Sequence, residues 1–171
     1  MKAPHYRLFS ALLVFLMANS LLAQDTSTNL LTHGDCEHGA AGWYKWNQSG
    51  EIKLSTDPEG IKSGKGLKIA VMGEKVNGSI SMAFKYSGKA TVSGYAVNNT
   101  MDIIKVALQC FDANGNQIAW IDVAHLAPNG KVLEFSRTVT IPEGSSKVNL
   151  AFILSGEGNA RLDGLSVTPV N

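Results

Sequence analysis

The chain has 171 residues, 44% of them hydrophobic, and a formal net charge of +1. A near-neutral balance without a Lys/Arg run argues against a nucleic-acid or anionic-membrane partner, since both need concentrated positive charge. The length predicts one domain of ordinary size with its own core.

In chain order, the first element is an export signal. Lys2 and Arg7 flank a short basic start, Leu8 to Met17 is an apolar run, and small residues follow at Ala18, Ser20 and Ala23. This predicts a secretory signal over residues 1–23, too short and wrongly flanked for a membrane anchor. Its removal from 171 residues leaves 148, with 13 basic against 14 acidic residues and a net charge of −1. No Cys stands near the cleavage point and the chain closes on Pro169-Val170-Asn171, so neither a lipid nor a C-terminal anchor is expected. The expected product, 24–171, is soluble and secreted, extracellular or periplasmic.

From Asn29 onward the apolar residues alternate. Leu67, Ile69 and Val71 are followed by Ile80, Met82, Phe84 and Tyr86, then by Ile104, Val106, Leu108 and Cys110. Leu133, Phe135, Val139 and Ile141 form another set, and Val148, Leu150, Phe152 and Leu154 the last. Period two over four to eight residues predicts half-buried strands. Asp112-Ala113-Asn114-Gly115-Asn116 reads as a hairpin turn, because Asn-Gly tolerates the positive φ that tight hairpins require. Gly156-Glu157-Gly158-Asn159 and the Gly-containing segments at 63–66, 128–130 and 142–144 read as further turns. About ten short strands without a three-turn helix predict an all-β, two-sheet antiparallel sandwich, most simply a jelly roll.

Motifs in the same order carry a family resemblance. Asn29-Leu30-Leu31-Thr32-His33-Gly34-Asp35-Cys36-Glu37-His38-Gly39, then Gly42-Trp43, resembles the opening of jelly-roll carbohydrate-binding modules appended to bacterial xylanases and cellulases, in the galactose-binding-domain-like group. Ser63 to Ile69, Val106 to Asn116, Phe135 to Pro142 and Arg161 to Val167 resemble later pieces of that pattern. The likeness spans Asn29 to Val167. Cys36 stands where the family has Phe, Gly164 where it has a second Asp, and Val132 where a Trp is frequent.

The resemblance implies a structural Ca²⁺ held by Glu37 and Asp163, with Asp35 and carbonyls of the Ser63-Gly64-Lys65 turn as further oxygen ligands. The alternative is that Asp35 and Glu37 are solvated charges and Asp163 bonds to backbone. On a strand, His33, Asp35 and Glu37 would share one face and offer an N/O/O set, against exposed histidines as the plainer reading. Cys36 and Cys110 are the only cysteines, both at core-facing positions. They are expected either as a disulfide, worth about 4 kcal/mol across such a loop, or as two buried thiols.

Binding a pyranose needs a flat apolar platform with hydrogen-bonding groups at its edge. Trp120 and Tyr95 are candidate platforms, because each sits opposite its apolar neighbours, and Trp46 is a candidate rim contact. Gln109, Asn149, Lys105 and Arg137 are candidate polar partners; Arg137 interrupts an otherwise apolar strand face. Core packing is the competing expectation for each aromatic and the stronger one for Trp43. No G-x-S-x-G elbow, H-E-x-x-H pair or phosphate-cradling glycine loop is present. The sequence therefore points to a secreted non-catalytic polysaccharide- or oligosaccharide-binding module. A structural or protein-interaction sandwich is the alternative and a small glycan hydrolase the minor one. Nothing in the sequence bears on oligomeric state.

Overall fold

A computed structural model describes residues 28–62 and 64–170, with side chains left aside at 73–75. The predicted signal over 1–23 lies outside the described residues. Seven antiparallel strands follow in order: β1 (Tyr44–Asp57), β2 (Gly66–Phe84), β3 (Gly88–Asn98), β4 (Ile103–Phe111), β5 (Gln117–Leu126), β6 (Val132–Ile141) and β7 (Lys147–Pro169). No helix is present among the described residues.

Seven strands replace the expected ten because three of them run on through irregularities. Pairing of β1 with β2 shifts register between Asn47 and Glu51, and that of β2 with β7 between Val71 and Val76. The glycine cluster read as a turn at 156–159 lies inside β7. Gly156 (φ 90°) and Gly158 (φ 135°) take backbone angles that side chains resist, so the strand changes direction there without ending.

That change of direction builds the two layers. Along one edge β7 pairs with β2 from Val148 to Leu162; along the other its first half carries β4 and its second half β3. The first layer therefore holds β5, β4 and the 147–156 half of β7, with the adjoining parts of β2 and β1. The second holds β6, β3 and the 158–169 half, with the remainder of β2 and β1. Apolar residues of both halves share one core. Val148, Leu150, Phe152 and Leu154 of the first layer are fully buried with Leu67, Ile69, Leu162 and Val167 of the second. This is the expected β-sandwich. The segment before β1 closes one side: the Leu30 N–H donates to the Val167 carbonyl at 2.9 Å, and Trp43 packs on Phe152 with ring centroids 5.9 Å apart. Trp43 is core, as its position after Gly42 suggested.

Candidate functional site

The outer face of the first layer is a groove. Alternation puts Ser79 and Ser81 of β2, Asn149 and Ile153 of β7, and Gln109 of β4 on the side away from the core. Register then sets them in rows. Gln109 lies between Asn149 on β7 and Trp120 on β5, while Ser79 lies between Ile153 and Trp46 on β1. Beneath them Ala107 and Ala151 are buried opposite each other, so the floor is low. Trp46 (60% exposed) and Trp120 (43% exposed) stand on the two outermost strands as walls. The hollow between them has a volume of about 430 Å³ and is lined by both tryptophans with Asn77, Ser79, Ser81, Gln109, Asn149 and Ile153. Four inter-strand steps of about 4.8 Å separate β1 from β5, so the walls stand about 19 Å apart across the strands. Past Asn77 and Ile153 a second hollow of about 320 Å³ continues toward Lys105 and Asp102.

The β4–β5 turn fixes this register. Asp112 Oδ1 accepts from the N–H groups of Asn114 (2.9 Å) and Asn116 (2.8 Å), and Oδ2 from the Asn116 amide at 3.1 Å. The bonds from Asn116, side chain first and then backbone, hold the Asp112 carboxyl below its ordinary range. A turn closed in this way leaves Gln109 opposite Trp120.

Four of the seven expected sugar contacts thus meet in one place, Trp120, Trp46, Gln109 and Asn149, and Lys105 lines the adjoining hollow. Two do not. Tyr95 faces outward as its alternation implied, but on β3 of the second layer, where its hydroxyl donates to Glu134 Oε1 at 2.9 Å and Lys62 Nζ lies 5.1 Å from its ring. Arg137 is not a groove residue either. It lies on the edge strand β6, and its Nη1 reaches across to the first layer to donate to the Asp122 carbonyl at 2.6 Å. The polar side chain on an apolar strand face is explained by that open flank, where a guanidinium spans the gap between layers. Sequence reasoning missed Asn77, Ser79, Ser81 and Ile153. Their signal was available, because they occupy the outward alternate positions of the strands that carry Ile80 and Leu154.

At the far end of the second layer, Glu37 and Asp163 converge on the loop between β1 and β2. Asp163 is buried, and its Oδ2 accepts from the N–H groups of Ile61 (2.9 Å) and Lys62 (2.7 Å). Glu37 Oε1 accepts from the N–H of Lys65 at 3.0 Å. Gly64 (φ 66°) is required here, since a Cβ would collide with the Glu37 carboxylate. Among the described residues neither acid forms an ion pair; the loop presents N–H groups to both, and the carboxylate oxygens are hard donors of the kind Ca²⁺ takes. Asp35 stays exposed, its Oδ1 accepting from the N–H of Glu37 at 3.2 Å. No three His, Cys, Asp or Glu side chains converge as metal ligands among the described residues. In place of the N/O/O set, His33 packs edge-on against His38, centroids 4.8 Å apart.

Of the two readings for the cysteines, buried thiols is the one observed; the disulfide expectation is corrected. Cys36 and Cys110 are both buried and free. The Cys36 thiol lies beside the backbone of Leu67, which pairs with Leu162, whereas Cys110 pairs with Val148, fourteen positions away on β7. That is well beyond the Cα separation of about 5.5 Å that a disulfide spans. Inward alternation says that a side chain is buried, not where along the core it lies.

No family model and no curated protein matches the chain. Solved structures do. The module TmCBM61, solved with β-1,4-galactotriose, superposes with a TM-score of 0.60 at 14% identity, covering 84% of this chain and 100% of that one. The fold is that of the β-sandwich carbohydrate-binding modules. The C-terminal family 22 module of Clostridium thermocellum Xyn10B agrees (TM-score 0.62, 14% identity, 82% of this chain and 94% of that one). The enzymatically active domain of tailspike protein 4 from bacteriophage CBA120 gives a TM-score of 0.70 at 13% identity over 83% of this chain. This chain spans about a fifth of that tailspike domain, 21% of its length.

Proposed function

We propose that the protein is an exported, non-catalytic module that binds a polysaccharide or oligosaccharide along the groove between Trp46 and Trp120. One observation carries the reading: two exposed tryptophans wall a low-floored hollow whose polar lining includes Gln109 and Asn149. The rings offer apolar faces to sugar C–H groups, and the amides and serine hydroxyls offer hydrogen bonds to the hydroxyl rim. A groove about 19 Å wide and open at its sides suits the interior of a chain of several sugar units. The structures of similar fold that were solved with or named for sugar ligands support the reading.

Affinity electrophoresis against soluble xylan, glucan, galactan and mannan tests it. Wild type is retarded by at least one polymer, and Trp120→Ala removes that retardation while melting normally. A wild type that no polymer retards sinks the proposal.

Calcium is proposed as a structural ion at Glu37 and Asp163, completed by carbonyls of the turn that the resemblance points to, at Gly64 and Lys65, where it would tie the start of the described chain to its last strand. EDTA lowers the melting temperature and added Ca²⁺ restores it; Glu37→Gln abolishes the EDTA response. Export rests on residues 1–23, and N-terminal sequencing of secreted product beginning at Gln24 checks it.

A further inference from the structure

The groove's two walls are held differently. Trp120 donates its indole N–H to Asp122 Oδ1 at 2.8 Å, two positions along the same outer face of β5. Asp122 is itself anchored twice, by its ladder partner Ala107 on β4 and by Arg137, whose guanidinium crosses from β6 to its main-chain carbonyl. Trp46, by contrast, makes no hydrogen bond through its indole among the described residues, although it too is exposed.

From this geometry we infer that Asp122 is a positioning residue for the glycan platform, fixing the orientation of Trp120 through the indole N–H. An aromatic ring exposed over two-fifths of its surface has few packing neighbours to select one rotamer, so a directional bond decides its orientation. An ionised acceptor makes that bond stronger than a neutral one would. The carboxylate cannot drift, since the backbone that carries it is clasped from both sides. Trp120 thus meets a sugar already turned to the binding angle, and less side-chain freedom is lost when ligand arrives. Because its N–H is occupied, Trp120 contributes its ring face alone, while hydrogen bonding falls to Gln109, Asn149 and the serines. The consequence for affinity rests on the sugar-binding reading; the orientation of the ring does not.

The test therefore has a ligand-free arm and a ligand arm. In ¹H–¹⁵N spectra without sugar, the Trp120 indole resonance is assigned by its disappearance in Trp120→Phe. Asp122→Leu moves that resonance toward the position of a solvent-exposed indole. Asp122→Asn, which keeps a carbonyl acceptor, leaves it near the wild-type position. With the polymer that retards wild type, Asp122→Leu weakens binding about tenfold, and Asp122→Asn much less. Added to Trp120→Phe, which keeps an aromatic ring but has no indole N–H, Asp122→Leu has no further effect on binding, as expected of residues acting through one contact. An indole resonance unchanged in a folded Asp122→Leu overturns the inference. If wild type binds no polymer the functional proposal falls, and the ligand-free spectra still decide the orientation.

Discussion

The same three strands, β1, β2 and β7, pass through both layers, yet among the described residues the tryptophan-walled groove lies on the outer face of one layer alone. Outward side chains in the middle of both are short. On the second layer Thr91, Thr138 and Thr168 form one cross-strand row and Ser93, Ser136 and Ser166 the next. Thr91 and Thr138 hydrogen-bond to each other at 3.1 Å, and the longer side chains pair locally, Tyr95 with Glu134 and Arg161 with Asp57 at 3.2 Å. That face is flat and satisfies itself. In the first layer the floor is similarly low, but its outermost strands each raise a tryptophan that nothing covers. Small central residues therefore make a surface accessible, and large aromatic residues on the edge strands make it concave.

Phe152→Ala should have the largest effect and strikes both faces at once. Phe152 is fully buried on β7 against Trp43, and its loss should cost about 3–5 kcal/mol. Because β7 belongs to both layers, a thermal melt followed by circular dichroism and by tryptophan fluorescence should fall in one coincident step. Two separate steps would show that the layers are independent after all.

An alkaline titration probes the loop end of the second layer. Burial first, then the Asp163 and Asp35 carboxylates, push the Cys36 thiol from 9.0 up to about 12. The folded state thus favours the neutral thiol, so its contribution is intact below pH 9 and is lost as pH rises toward 12. About 2 kcal/mol should disappear by pH 10.5. Cys36→Ala should flatten the stability profile between pH 9 and 10.5 relative to wild type; parallel profiles would contradict the assignment.

The gentlest comparison sets an aromatic on each face against the other. Trp46→Ala should weaken glycan binding about tenfold, equivalent to 1.4 kcal/mol, with little change in melting temperature. Tyr95→Ala should leave binding unchanged and cost about 1 kcal/mol of stability through the lost Glu134 bond. Equal binding losses from the two substitutions would mean that the sugar lies elsewhere.

Most of the sandwich was legible from alternation, because burying one face of a strand forces period two into its sequence. The same logic put Trp120, Gln109 and Asn149 correctly on an outer face. It also put Tyr95 outward, and there its reach ended: parity distinguishes inside from outside, but not one layer from the other. That assignment depends on which half of β7 a strand joins, a pairing between residues 36 or more positions apart. Arg137 illustrates a second boundary. A polar residue at an inward position signals an opening in the core, and only the neighbouring edge strand shows what fills it. The Gly156–Asn159 cluster misled for a local reason, since a glycine that bends a strand and one that ends it have the same side chain.

The position of β7 in the sequence has a further consequence. It supplies the shared edge for β2, β3 and β4, yet it is the last of the described strands, 23 residues over Lys147–Pro169. A growing chain can form the β3–β6 and β4–β5 pairs, but these ribbons have no common edge until residue 147 and those after it arrive. Long-range pairing of this kind makes folding slow and leaves strand edges open meanwhile. Folding of the two layers therefore waits until β7 has been made, and loss of that strand would dissolve both layers instead of shortening one.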